Sequence, residues 1–283
     1  MTMNLILQSL RADQDALGRI AALALPARVV TLHAHAVRAE GVDDGAAFRD
    51  AVQAAAQAAE VDATFMAAGR TLADFSLVAM DMDSTLITIE CIDEIADMQG
   101  LKTQVAAITE AAMRGELAFS ESLLRRVALL EGLDATALQR VYDERLAVSP
   151  GGEAMLAALK AAGVKTLLVS GGFTFFTERL QRRLGLDFAH ANTLEIAGGK
   201  LTGRVLGTIV DADEKKRTVQ RVCAQLGIDT TRAIVMGDGA NDLQMMGIGG
   251  LSVAFRAKPV VRAQADIALN FVGLDGLLTV LAP

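Results

Sequence analysis

The chain is poor in the features that would place it outside the cell, in a membrane or on a nucleic acid. It has two cysteines, Cys91 and Cys223, which form no CxxC pair and are too few for a disulfide framework. Both read as buried thiols of a reducing compartment. No window holds ~18 uncharged apolar residues, the length a membrane-spanning helix needs. The mean hydropathy of +0.35 is therefore carried by alanine and not by long aliphatic runs. The opening MTMNLILQSLRADQD meets Arg and Asp before the apolar core of a signal peptide could form. Positive charge is also scarce. The 27 Lys and Arg are outnumbered by 34 Asp and Glu, for a net charge of −7, whereas a nucleic-acid surface needs clustered cations. These absences predict a cytoplasmic protein whose partners include neither membrane nor nucleic acid.

What is present is ample material for a core. Hydrophobic residues make up 52% of the 283 positions and charged residues 22%, which excludes a disordered chain and suits one large or two modest domains. Residues 1–74 alternate strand-like and helix-like patterns. MNLILQSL (3–10) and RVVTLHAHAV (28–37) read as strands, DQDALGRIAAL (13–23) as a helix behind an Asp start, and GVDDG (41–45) as a turn. A helix at 46–60 and a last short strand complete a ferredoxin-like module. DFSLVAMDMD (74–83) then opens a second α/β unit. Helical periodicity runs from about 90 to 148, and strand–helix alternation resumes at Pro150, with a helix placed at 215–227. Long apolar strands alternating with helices predict a doubly wound parallel sheet. The expected division is 1–74, a core of 75–89 and 149–283, and a helical insertion at 90–148.

Three strands end in reactive residues: SLVAMDMDST, KTLLVSGG and AIVMGDGAND. In open parallel sheets, ligands bind at the carboxyl ends of strands. Asp81 and Asp83 alternate at the first of these ends and should face one crevice. An isolated DxD is more often a helix-capping turn, but here an unbroken apolar strand delivers the pair. GDGAND (237–242) adds Asp238, Asn241 and Asp242. It lacks the third glycine of a dinucleotide fingerprint, and there is no GxxxxGK[ST] loop. Oxygen ligands from Asp81, Asp238 and Asp242 suit a hard ion, and Mg2+ retains waters that a phosphate can replace. Ser170-Gly171-Gly172 closes a strand before a helix, which favours an anion. Lys215 or Lys216 could complete a phosphate site. Carboxylate nucleophiles that form aspartyl-phosphates are one route to phosphoryl transfer.

These residues resemble the haloacid dehalogenase (HAD) superfamily of phosphatases, whose four motifs appear in order as DMDST (81–85), SGG (170–172), Lys215 and GDGAND (237–242). Within it, ECIDEIA (90–96), AAMRGELAFSESLLRRV (111–127), ANTLEIAGGKLTGRV (191–205) and AFRAKP (254–259) resemble the phosphoserine phosphatase family. The resemblance implies a HAD-like doubly wound sheet, an inserted helical cap and hydrolysis of O-phospho-L-serine, the last step of serine biosynthesis. It implies Asp81 as nucleophile and Asp83 as acid and then base. Mg2+ would be held by Asp81, the Asp83 carbonyl and Asp238, with Asp242 orienting the set. It implies phosphate binding by Ser170, Gly171, Gly172 and Lys215, and assigns Asn241 to the substrate.

In the cap, Glu90 would meet the substrate ammonium and Arg126 its carboxylate. Residue physics alone makes Glu90 a helix-start acid and Arg126 a solvated surface charge; the resemblance reverses both. Met113 and Phe119 fall where the family shapes its pocket, and Cys91 reads as packing. His33 and His35 share a strand face without further ligands and read as ordinary sheet residues. Residues 1–74 weakly resemble ACT-type amino-acid-binding regions, which leaves them as a ligand site, a homodimer contact or a packing element on which catalysis should not depend. Two other readings stay open: a phosphotransferase acting on a small alcohol such as homoserine, and an amino-acid sensor with a residual catalytic domain.

Overall fold

The computed structural model describes residues 2–113 and 116–283, and of Met113 only the backbone. The expected role of the Met113 side chain therefore lies outside the described residues.

A four-stranded antiparallel sheet comes first. It contains β1 (Met3–Gln8), α1 (Gln14–Ala22), β2 (Arg28–His33), β3 (Ala36–Val42), α2 (Ala46–Ala58) and β4 (Asp62–Ala67), with strand order β2-β3-β1-β4. Helix α1 starts at Asp13, whose side chain accepts from Ala16 N at 2.8 Å. The two-residue period of β1 sorts its side chains between two cores. Leu5 and Leu7 pack with Leu17, Ile20 and Val52 of the helices, while Ile6 joins Met66 in the main core of the molecule. Residues 28–37 are not one strand: the chain turns at Ala34–His35, and β3 runs on through Gly41 and Val42, displacing the predicted turn. No glycine, asparagine or proline marks that reversal, so its β-branched flanks read as continuous strand.

The second sheet has seven strands in the order β11-β10-β9-β5-β6-β7-β8. Its elements are β5 (Leu77–Met80), α3 (Cys91–Asp97), α4 (Lys102–Met113), α5 (Phe119–Ala128), α6 (Thr136–Glu144), α7 (Gly152–Ala161), β6 (Lys165–Phe173), α8 (Thr174–Leu184), β7 (Phe188–Ala197), β8 (Lys200–Leu206) and α9 (Ala212–Leu226). It continues with β9 (Ala233–Gly237), α10 (Leu243–Met246), β10 (Leu251–Phe255), α11 (Pro259–Arg262), β11 (Ile267–Leu269) and α12 (Gly276–Val280). Helix α9 starts three residues before the predicted 215, because Asp211 caps it by accepting from Asp213 N and Glu214 N. Strands β5, β6 and β9 run parallel side by side, with β5 buried at every position, as expected of a sheet covered on both faces.

Helices α3–α6 form an excursion after β5. Its two ends meet where Thr88 N donates to Ala147 O at 3.0 Å and Ser149 N donates to Leu86 O at 2.9 Å. The β7–β8 hairpin ties back onto this excursion. Gly132 N donates to Leu201 O at 2.9 Å, and Leu201 N to Leu133 O at 2.8 Å. No helix among the described residues is long and apolar enough to cross a membrane.

The sheets are joined through a buried acid. Asp62, on β4, accepts from the backbone N–H groups of Asn270, Phe271 and Val272 at 2.8, 2.9 and 3.1 Å. Gln8 Nε2 donates to Gly276 O at 3.1 Å alongside it. His33 lies at the same junction, its Nε2 3.3 Å from Thr279 Oγ1.

Candidate active site

The parallel order of β9, β5 and β6 brings three strand ends together. Strand β5 stops at Met80, so Asp81 and Asp83 sit on the loop beyond it. Asp81 Oδ1 accepts from Met82 N at 2.7 Å. The loop turns through Ser84, a non-glycine residue at φ +55°, a conformation that costs on the order of 1 kcal/mol. Ser84 Oγ donates to Glu90 Oε1 at 2.7 Å.

Of the two lysines in α9, the helix turns Lys215 inward. It is fully buried, and its Nζ lies 2.8 Å from Asp81 Oδ1 and 2.7 Å from Asp242 Oδ1. Burial alone would lower its pKa, but the two carboxylates outweigh it, so the ammonium is held charged above its usual range. Asp242 also accepts from Gly239 N at 3.0 Å, and half-buried Asn241 folds back over the same glycine. Asp81, Asp238 and Asp242 place one oxygen each within 4.8 Å of one another. One lysine cannot balance that much buried negative charge. Burial, reinforced by Asp242, raises the pKa of Asp81 well above its ordinary value and that of Asp238 to about 7. Burial and then the charge of Glu90 raise Asp83 to about 8. A cluster of hard oxygen donors carrying excess negative charge fits a divalent cation.

Beside the carboxylates lies the end of β6. Ser170 Oγ accepts from Gly172 N at 2.8 Å, curling the loop. Gly172 has no room for a side chain, because a Cβ there would lie 2.8 Å from Met82 Cε and 2.9 Å from Asp83 Oδ2. Phe119, at the start of α5, presses its ring onto Gly171, where a Cβ would lie 2.8 Å from its Cζ. Buried Asn192 on β7 holds this loop from behind. Its Nδ2 donates to Gly171 O and its Oδ1 accepts from Val210 N, both at 2.8 Å. That links the loop to the segment leading into α9 and Lys215.

The opposite wall comes from the helical excursion. Glu90 precedes α3 and is open to the cleft, yet loss of surrounding water still raises its pKa, with the Ser84 bond opposing. Arg126 on α5 is half-buried, and its Nε donates to Ser122 O at 3.4 Å. Desolvation lowers its pKa, opposed by the charges of Asp93, Glu90 and Asp83. Among the described residues it has no ion pair within 4.0 Å, so its guanidinium keeps donors for a ligand.

The structure thus gathers Asp81, Asp83, Ser170, Gly171, Gly172, Lys215, Asp238 and Asn241 at the sheet end, with Glu90 and Arg126 facing them from the excursion. Sequence reasoning passed over three contributors. Asn192 and Lys258 lie within quoted segments, but no local pattern shows that the first braces Gly171 or that the second bonds Asp238 O through its N–H at 3.1 Å. Cys91, read as packing, also donates its N–H to Asp83 Oδ1, at 3.4 Å.

The haloacid dehalogenase-like hydrolase family profile matches residues 78–247. A phosphoserine phosphatase of Polaromonas sp. is 56% identical over 212 residues, covering 73% of this chain and 90% of that one. A phosphoserine phosphatase of Haemophilus influenzae is 48% identical over 223 residues, covering 79% and 71%. Among solved structures, a HAD family hydrolase from Salmonella enterica serovar Typhi superposes with a TM-score of 0.89 at 34% identity, covering 100% of this chain and 99% of that one. A probable phosphoserine phosphatase from Vibrio cholerae, in unliganded form, gives 0.84 at 35% identity, covering 99% and 86%.

Proposed function

Because the chain belongs to the phosphoserine phosphatase family of haloacid dehalogenase-like hydrolases, we propose that it hydrolyses O-phospho-L-serine to serine and phosphate in the cytoplasm. The observation that carries this reading is the placement of two carboxyls around one anion-binding loop. Asp81 is held by Lys215, and Asp83 turns Oδ2 toward Gly172.

The phosphoryl group docks against Ser170, the Gly171 and Gly172 backbone and Lys215. Asp81 attacks phosphorus while the bond to the seryl oxygen breaks, and Asp83 gives its proton to that oxygen. A carboxyl with a pKa of about 8 is still protonated at neutral pH, which suits it to this task. Asp83, now ionised, takes a proton from water as the water attacks phosphorus, and the bond to Asp81 breaks to release phosphate. Both steps balance, and the proton that Asp83 gives up is returned. Asp81, the Asp83 carbonyl and Asp238 would hold Mg2+, with Asp242 bracing them through Lys215. Once bound, the ion would offset the excess carboxylate charge and that of the phosphoryl oxygens.

Glu90 takes the ammonium and Arg126 the carboxylate, so residues 90–148 cover and select. The four-stranded sheet serves to pack. Its helices cover one face and the core covers the other, leaving the outer edge of β2 as the surface through which a homodimer would form.

The test is phosphate release from phosphoserine with and without Mg2+, beside phosphothreonine, sugar phosphates and nucleotides. Faster Mg2+-dependent release from phosphoserine is expected. Equal rates on all substrates would overturn the specificity. Transfer to added homoserine in place of water would favour a phosphotransferase, and no turnover would favour a sensor.

A further inference from the structure

Asp83 has two oxygens with different surroundings. Oδ1 faces the start of α3, where Cys91 N–H donates to it at 3.4 Å. The Cys91 thiol is fully buried; burial raises its pKa, and the nearby Asp83 charge raises it further. Oδ2 faces the phosphate loop at Gly172. Cys91 is the first residue of α3, and the first N–H groups of a helix have no partner within it. That N–H is therefore free to bind an outside acceptor. A carboxylic acid carries one O–H, and its other oxygen is left to accept. The N–H donor at Oδ1 leaves Oδ2 to carry the proton.

We propose that Cys91 is a positioning residue for the proton-transferring carboxyl, using its backbone N–H at Oδ1 and its thiol beside the same carboxyl to hold Asp83 so that the Oδ2 proton faces the departing oxygen. This rests on the phosphatase reading above. Asp83 belongs to the loop after β5 and Cys91 to the helical excursion, so the acid is aimed only when α3 is seated. The covering segment thereby takes part in proton transfer as well as in substrate selection.

The first helical position accepts proline, whose missing N–H is not needed by the helix. Glu90, at φ −98° and ψ 107°, already has the extended backbone that precedes a proline. Cys91→Pro therefore removes both donors without opposing the helix, Cys91→Ala removes only the thiol, and Cys91→Ser restores a donor. With Mg2+ and phosphoserine, kcat should fall about ten-fold in Cys91→Pro and about three-fold in Cys91→Ala, with KM within about two-fold and Cys91→Ser near wild type. The burst of nitrophenolate from p-nitrophenyl phosphate, a leaving group that needs no proton, should be unchanged. Folded Pro and Ala variants with wild-type kcat, or an effect on KM alone, would overturn the proposal. If Cys91→Pro does not fold, the Ala and Ser pair decides. A wild-type protein inert toward phosphoserine would instead overturn the phosphatase reading.

Discussion

Asp62 and Asp81 are both almost completely buried, 2% and 5% exposed, and their surroundings are opposite. Asp62 sits at the junction of the two sheets, where three consecutive backbone N–H groups converge on its carboxyl. Burial raises its pKa and those bonds oppose the rise. Asp81 shares its pocket with Asp238 and Asp242; Lys215 pairs with Asp81 and Asp242, and beyond it Lys258 offsets Asp238 only from a distance. A buried carboxylate surrounded by neutral donors is finished business, needed for stability and reactive toward nothing. One left among its own kind retains a strong attraction for a cation and for an electrophile. Both segments are short and acidic in sequence, and only the partners tell them apart.

That contrast can be broken from either side. The largest effect is expected for Asp81→Asn, which should lower turnover of phosphoserine by more than about a thousand-fold while leaving the melting temperature unchanged or higher, because it removes a poorly compensated charge. Calorimetry beside the activity assay checks both halves. Asp62→Ala should do the reverse. It strands three backbone donors at a dry junction and should cost about 2–4 kcal/mol in urea unfolding, with kcat little changed in the folded fraction. An unchanged midpoint would show that the junction does not depend on this acid. The expectation that catalysis does not depend on residues 1–74 concerns the chemistry and not the folding, because Ile6 and Met66 belong to the main core.

A smaller effect is expected at Arg126. Arg126→Met should raise KM for phosphoserine about ten- to a hundred-fold. It should barely affect phosphoethanolamine, which has the ammonium but no carboxylate, and equal losses on both would remove its assignment to the carboxylate. A further effect concerns pH. Asp238, at about 7 in the fold against an unfolded value near 3.9, keeps its proton in the folded state over a range where the unfolded chain has lost it. The folded state then binds more protons, so metal-free stability should decline as pH rises from about 4 to about 7. The slope is at most about 1.4 kcal/mol per pH unit for one group. Mg2+ should flatten that decline, and melting curves across the range with EDTA or Mg2+ would show it.

The doubly wound sheet was readable because period and punctuation agree in this chain. LVAM, KTLLVSGG and AIVMG are short apolar runs that end in glycine or run into aspartate, and their length and flanking punctuation separate them from helices and fit buried parallel strands. The reversal at Ala34–His35 was not readable, because it is set by β3 pairing with both β1 and β2 and not by a local turn former. At the site, Asp81, Asp83, Ser170 and Asp238 could be placed together from their strand ends alone, since the parallel order of β9, β5 and β6 requires it. Asn192, Lys258 and the donors on Cys91 escaped, because each acts on a residue brought close only by the fold. Asn192 is 21 positions from the glycine it braces.

The sequence alone therefore determined which residue types stand at the strand ends, and with them the class of chemistry, because strand direction is a local property. The tertiary structure alone decided which carboxylates are compensated. Asp62 meets its partners more than 200 positions away, and Asp242 meets Lys215 27 positions away. The charge state of a buried group depends on every atom that replaces its water, and no local pattern records that neighbourhood.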